Sequence, residues 1–428
     1  MSVAIVLYTR DLRVHDQAAL TDATREYDQV VPVFVFDEVL LREVGTPNRI
    51  SFLLDSLRDL RVSLRDIGGD LVVRRGDVVT EVARIATATG AQTLFVGEDV
   101  SLYAQQRLRR LRERLEVSVH NTVTAVAPGE LAPDGRDHYR VFTPYWRRWR
   151  DEPRPAILDV PARVTLPNIE AGRLPELSEL VADQPSPFVA RGGEPEARRR
   201  LDRWLADGAA EYDAARDDMA ADRTSRLSPY LHFGCISANE VATRVGSTEF
   251  VRQLCWRDFY AQLLAANPDT AHEDLHAHRH AWSEDNDALA RWRAGRTGIP
   301  IVDAGMRQLH AEGWMHNRAR LIVAAFLTKT LRLPWQEGAR AFAELLVDAD
   351  VANNAGNWQW VAGTGVDTRP NRLFNPLAQA RRHDPNGDYV RRYVPELAEL
   401  RGNAVHEPWR APLASTAPEY PPPLSRVA

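Results

Sequence analysis

The sequence predicts two domains of different class: an α/β doubly wound parallel sheet and, across a long linker, an all-helical domain. Three observations predict this. Short apolar runs alternate with helical periodicity through the first third of the chain. Proline then interrupts the pattern, and beyond it strand signals are few. The expected bounds are 1–125 for the sheet domain, 126–195 for the linker and 196–428 for the helical domain. A chain of 428 residues is long enough for each domain to bury its own core.

The first apolar run, residues 3–8, is followed at once by Arg10, Asp11 and Arg13. It is too short to span a membrane and reads as a buried strand, not a signal peptide. Residues 30–36, 71–74, 93–96 and 117–120 repeat the pattern. Near-continuous apolar runs suit a parallel sheet, which is covered on both faces. Between them, 50–67 and 102–115 carry helical spacing with Arg and Asp on the outer side. The loop after the first strand reads Thr9-Arg10-Asp11-Leu12-Arg13, so the glycine-rich dinucleotide fingerprint is absent. The linker holds Pro128, Pro133, Pro144, Pro153, Pro155, Pro161, Pro167, Pro175, Pro185 and Pro187 and is expected to lie across a surface. Its run 145–150 (YWRRWR) reads as a solvated face or as a basic-aromatic nucleic-acid contact.

The net charge of −5 does not favour a polyanion partner. Binding depends on local basic faces, however, and nearly every basic residue is Arg; Lys329 is the only lysine. Arginine suits bidentate phosphate contacts, and a GC-rich genome would produce the same bias. Cys235 and Cys255 are too few for a disulfide framework or a cysteine zinc site, which points to a reducing cytoplasm.

Residues 348–360 (DADVANNAGNWQW) form the most unusual string. Buried Asp and Asn need partners and Trp is bulky, so the mixture suits a segment that wraps an aromatic, hydrogen-bonding ligand. Residues 224–229 (TSRLSP) place Ser228 as an N-cap and Pro229 at the first helical position. They are either an ordinary helix start or an anion cradle. Gln253, Trp256 and Arg257 share a helical face, able to pack in a core or to grip a base and a phosphate. Trp314, Asn317, Arg318 and Leu321 are spaced as a second such face, with Arg320 placed to pair with Asp348 or Asp350.

These strings resemble the photolyase/cryptochrome family, most closely its class I cyclobutane pyrimidine dimer photolyases. The resemblance runs from 5–13 (IVLYTRDLR) to 405–409 (VHEPW) through 224–228 (TSRLS), 256–260 (WRDFY), 298–303 (GIPIVD), 313–318 (GWMHNR) and 354–360 (NAGNWQW), in order. It implies non-covalent FAD, with Tyr212, Thr224, Ser225, Arg226, Leu227 and Ser228 at its phosphates and ribityl chain. Arg257, Arg320, Asp348 and Asp350 would surround it, and Asn354 would stand beside flavin N5. A dimer flipped out of UV-damaged DNA would meet Gln253, Trp256, Asn317, Arg318, Leu321 and Trp360. Trp358, Trp335 and Trp282 match the family's electron-transfer chain, and Arg318 and Arg372 are further candidates for DNA contact.

The implied activity is light-driven splitting of cyclobutane dimers by a cytoplasmic monomer. A cryptochrome-like photoreceptor is the alternative; a (6-4) photolyase is disfavoured because Asn317 stands where those enzymes place a catalytic His. The chain departs from many dimer photolyases in having Gln253 for Glu and Leu321 for Met. Arg49, Asp99 and His232 fall near positions that hold a second, light-harvesting chromophore in relatives. That chromophore is expected to be 8-hydroxy-5-deazaflavin, with methenyltetrahydrofolate as the alternative.

Overall fold

The structure is a computed structural model that describes residues 1–277, 281–366, 375–410 and 420–425. The chain divides into two compact units. The first comprises Met1–Pro185, Ala190–Ala210 and Ser225–Pro268; the second comprises Ser186–Val189, Glu211–Thr224 and Asp269–Ala428.

The first unit is built on β1 (Val3–Leu7), β2 (Gln29–Asp37), β3 (Val72–Gly76), β4 (Thr93–Gly97) and β5 (Glu116–His120). The strands are parallel in the order β3-β2-β1-β4-β5, with Ile5 opposite both Val31 and Leu94. All five expected strands are present, with ends within two residues of those read from the sequence. Their crossovers run through α1 (Ala18–Glu26), α2 (Glu38–Val44), α3 (Pro47–Asp66), α4 (Val78–Thr89) and α5 (Leu102–Arg112). Asp77 and Ser101 start α4 and α5 by accepting from Thr80 N at 3.0 Å and Ala104 N at 3.3 Å. Ile5, Val31, Val33, Val72 and Leu94 form one core with Val82 and Ile85 of α4. Each such side chain contributes about 1.5–3 kcal/mol on burial. The order of strands reverses at β1, so the crevice at the carboxyl ends of β1 and β4 is the topological switch point.

The linker is more structured than its prolines suggest. It contains α6 (Phe142–Asp151), in which Phe142, Tyr145 and Trp149 are buried and Arg147, Arg148 and Arg150 exposed. The expectation of a solvated face holds for the arginines and fails for the aromatics. At helical spacing the two kinds of residue separate onto opposite sides.

In the second unit the described residues contain helices and no strand. Helices Pro300–Glu312, Asn317–Ala325, Trp335–Leu345 and Val351–Ala362 surround a core that includes Trp292, Met306, Leu309, Met315, Phe326, Trp335, Phe342 and Trp358. Gly313, at φ 59°, ends the first of these helices in the left-handed region, which costs glycine little. Helix Asn317–Ala325 continues into a π-helical turn, Phe326–Thr330. No helix among the described residues is long and apolar enough to cross a membrane.

Candidate functional site

The segment rich in Asp, Asn and Trp begins with two carboxylates in different roles. Asp350 caps helix Val351–Ala362, accepting from Asn353 N at 2.8 Å and Asn353 Nδ2 at 2.7 Å. Asp348 is buried and receives both terminal nitrogens of Arg320, at 3.1 and 2.8 Å. Arg320 Nε donates to Met315 O at 2.9 Å. The choice left open by the sequence thus falls on Asp348, in a bidentate pair whose remaining donor is satisfied. One turn into the helix, Asn354 donates its Nδ2 to Ala339 O at 2.9 Å. Among the described residues nothing donates to its Oδ1, which remains free to accept.

Trp358 is 2% exposed and stands edge-on to Phe342, at 5.0 Å, and to Trp292, at 6.1 Å. Its indole N–H is buried and, among the described residues, has no hydrogen-bond partner. Gly338 makes room for it, since a Cβ there would lie 2.1 Å from Trp358 Cη2. Trp335 is buried in the same cluster and donates Nε1 to Asp274 Oδ1 at 2.6 Å. Trp282 and Trp360 are partly buried against that cluster. Trp292 was not singled out from the sequence. Nothing in its local spacing distinguishes it from any core tryptophan.

Asn317 is exposed at the start of its helix, where His316 Nδ1 accepts from Arg318 N at 3.1 Å. Trp314 lies outside this helix and is buried, so the expected face shared by Trp314, Asn317, Arg318 and Leu321 does not form. The chain turns at Gly313, and helical spacing applies only from Asn317 on. Arg318 binds Asp217 through Nε at 3.2 Å and Nη2 at 2.6 Å. Burial would raise the Asp217 carboxyl, but this hydrogen-bonded guanidinium outweighs it and holds the group below its ordinary range. Leu321 packs against the core cluster. Tyr212 is buried, and burial pushes its hydroxyl up to about 12. Thr224 has a buried Oγ1 with no partner among the described residues. Near it, Asp222 and Arg226 adopt φ of 49° and 50°. Such left-handed non-glycine backbone is costly and clusters at functional sites. An unpartnered hydroxyl here and an unpartnered indole N–H at Trp358 are what a site built for a polar cofactor leaves when described without it. Arg372 lies outside the described residues.

In the first unit, Ser228 is the first residue of helix Ser228–His232, not its cap. The cap is Leu227, whose N–H donates to Ser225 Oγ at 3.3 Å; Pro229 sits in the first turn as expected. On helix Thr248–Ala266, Gln253 is exposed and its Nε2 reaches Glu249 O only at 3.5 Å. Trp256 is half-buried and lies flat on Phe142 of α6, with centroids 3.6 Å apart and planes 4° apart. Arg257 donates to Val123 O at 2.6 Å and Leu231 O at 3.0 Å. Its neighbour Asp258, which the sequence reading passed over, is fully buried. Asp258 Oδ2 accepts from Ala125 N at 3.0 Å, Val126 N at 3.1 Å and Trp149 Nε1 at 2.9 Å. Burial pushes its carboxyl up to about 6, against the nearby Arg257 and these donors.

At the switch point, Arg10 joins two of the three residues expected there. It reaches Asp99 Oδ2 at 3.4 Å, and His232 through its carbonyl at 3.3 Å and Nδ1 at 3.4 Å. Arg49 is not part of this group. It is buried on α3 and donates to Val44 O at 2.9 Å, and burial lowers its guanidinium to about 10. Arg10 could have been found from its place in the loop after the first strand. Among the described residues no cluster of His, Cys, Asp or Glu could hold a metal ion.

Fold and site together describe a doubly wound sheet without a dinucleotide fingerprint and a helical unit rich in tryptophan. Residues 250–427 match the family model for the FAD binding domain of DNA photolyase, and residues 4–164 match that for DNA photolyase. A deoxyribodipyrimidine photo-lyase of Streptomyces griseus is 49% identical over 444 aligned positions, covering 100% of this chain and 97% of the relative. Among solved structures, a bacterial class III photolyase from Agrobacterium tumefaciens is 33% identical with a TM-score of 0.91, covering 99% of this chain and 94% of that one. An archaeal photolyase from Sulfolobus tokodaii with two FAD molecules is 31% identical with a TM-score of 0.89, covering 99% and 96%. The chain belongs to the photolyase/cryptochrome family.

Proposed function

We propose that this protein is a light-driven DNA repair lyase, a deoxyribodipyrimidine photo-lyase that splits cyclobutane pyrimidine dimers in UV-damaged DNA. The observation that carries the reading is 49% identity along the whole chain to an enzyme of that name. The match to the FAD binding domain makes FAD its cofactor. When bound in reduced form, FAD would lend on blue-light excitation the electron that opens the cyclobutane ring and would regain it from the separated bases, so the repair is redox-neutral.

The chain's own residues hold and tune. The buried, unpartnered hydroxyl of Thr224 would donate to a phosphate or ribityl oxygen, and this reading gives Tyr212, Ser225, Arg226, Leu227 and Ser228 the same task of holding the cofactor. The Arg320–Asp348 pair sets a neutral, rigid wall, because each charge already has its partner. Asn354, its Nδ2 committed to Ala339, offers Oδ1 to hold a proton at flavin N5. Asp350 orients that helix by capping it, and Arg257 ties its own helix to two backbone carbonyls. Trp358, Trp335 and Trp282 conduct electrons during light-driven reduction of the cofactor.

The dimer, flipped from the duplex, stacks on Trp256 and Trp360, each base gaining about 1–3 kcal/mol. Asn317 and Gln253 present exposed amides to the thymine carbonyls, and Leu321 supplies apolar contact. Gln253 gives up the charge of a Glu, on the order of 1 kcal/mol. Arg318 contributes phosphate contact. Arg10, Asp99 and His232 at the switch point make a polar rim for an antenna chromophore, which we assign to 8-hydroxy-5-deazaflavin. The protein is expected to act as a monomer.

The test is repair. Reduced, purified protein is mixed with a thymine-dimer oligonucleotide and illuminated with blue light, and recovery of thymine absorbance is followed against a dark control. Light-dependent recovery is expected. No recovery by protein carrying fully reduced FAD overturns the reading and moves it to a photoreceptor.

A further inference from the structure

The face-to-face pair of Phe142 and Trp256 is unusual for two aromatic rings, which ordinarily prefer offset or edge-on contact. Its setting explains it. Phe142 begins α6 and is 6% exposed, whereas Trp256 is half-buried. Phe259 meets Phe142 edge-on, at 5.6 Å and 84°, and the Arg252 guanidinium lies 5.5 Å from its centroid. Phe142 is therefore confined by neighbours of its own.

The segment that carries Phe142 is fixed to helix Thr248–Ala266 at both ends. Tyr139 N donates to Gln262 Oε1 at 3.0 Å, and Gln262 Nε2 donates back to Tyr139 O at 2.8 Å. Seven residues beyond Phe142, Trp149 Nε1 donates to Asp258 Oδ2 at 2.9 Å. Between these pins, Tyr145 packs on Phe259 at 5.5 Å. A linker that only joined domains would need none of this, and the buried Gln262 and Asp258 are costly to place unless they hold something.

We infer that Phe142 is a positioning residue for lesion recognition: a rear wall that sets the plane of Trp256 before the flipped dimer stacks on it. The inference rests on the reading that Trp256 contacts the dimer. One face of the indole is covered by Phe142 and Tyr260 lies tilted at 31° with its centroid 5.6 Å away, so the stacked base is assigned to the part of the ring that Phe142 leaves uncovered. A tryptophan already held in one rotamer loses less freedom on binding, and fixing one such side chain is worth about two- to tenfold in affinity. In this assignment Phe142 acts through Trp256, on which it is stacked, so its effect belongs to KM and binding and not to the chemical step.

The test uses holoenzyme, three single variants and one double variant. Phe142→Leu keeps an apolar side chain and removes the flat wall. It is expected to weaken binding of dimer-containing duplex about fivefold. Affinity for undamaged duplex, flavin content and the repair rate at saturating dimer are expected to stay as in the parent. Phe142→Tyr keeps the ring and is expected to restore affinity to within about twofold. Trp256→Ala loses dimer discrimination, and adding Phe142→Leu to it costs nothing further. If Trp256→Ala still discriminates dimer from undamaged DNA, the assignment of Trp256 to the lesion fails. If Trp256→Ala loses discrimination while Phe142→Leu binds dimer as the parent does, the wall alone is refuted. Equal loss of affinity for damaged and undamaged DNA by Phe142→Leu also refutes it, as that is general destabilisation.

Discussion

Replacing Gly338 by Ala sets two physical effects against each other. Gly338 lies inside helix Trp335–Leu345, where propensity alone favours Ala by about 1 kcal/mol. The added Cβ would lie 2.1, 2.4 and 2.6 Å from Cη2, Cζ3 and Cζ2 of Trp358. Carbon atoms pack at about 3.5–4.0 Å, so the indole must retreat by about 1 Å or more. It has little space to do so, being buried against Phe342 and Trp292. Overpacking of this kind costs about 1–3 kcal/mol, and a ring with no exposed side belongs toward the upper end. The net expectation is destabilisation by about 1–2 kcal/mol. The displaced ring is also the proposed first conductor of electrons, so light-driven reduction of the flavin with an external reductant should slow. Denaturation of the holoprotein and the rate of flavin photoreduction are the two measurements. A variant stabilised by about 1 kcal/mol with unchanged photoreduction would refute the packing argument and the placement of Trp358 together.

Three further outcomes are expected. Trp358→Phe should abolish light-driven flavin reduction yet leave repair by chemically pre-reduced protein intact; normal photoreduction excludes this tryptophan as the conductor. Asp258 has its folded-state carboxyl raised to about 6, so the stability it contributes is complete below the unfolded value and is lost as pH rises through about 6. Between pH 4 and 7 the parent should therefore lose up to about 3 kcal/mol relative to Asp258→Asn, and parallel stability curves for the two proteins would contradict this. Arg318→Gln should weaken binding to damaged and undamaged duplex alike and make the dependence of log affinity on log salt shallower by about 0.9. An unchanged slope means that Arg318 is wholly occupied by Asp217.

Part of the pairing in the helical unit was legible in the sequence because it is written in local strings. The bidentate Arg320–Asp348 pair was one of two alternatives that residue spacing allowed. The five strands were legible because a sheet covered on both faces needs uninterrupted apolar runs. The helix at α6 was not, because its prolines and arginines resemble a solvated linker. Pro144 is tolerated there only because it lies in the first turn, where its missing N–H has no helical partner to lose.

What the sequence by itself determined is the class of each segment and the family. These follow from periodicity and from short motifs whose order along the chain is their meaning. What only the tertiary structure decided is which side chains meet across long separations in sequence. Arg10 joins Asp99 and His232, Asp217 takes Arg318, Trp292 stands on Trp358, and Phe142 backs Trp256. No local pattern encodes such pairs. They exist because packing a folded chain closes long loops onto specific neighbours, and buried polar or aromatic groups persist only where a partner arrives with the right geometry.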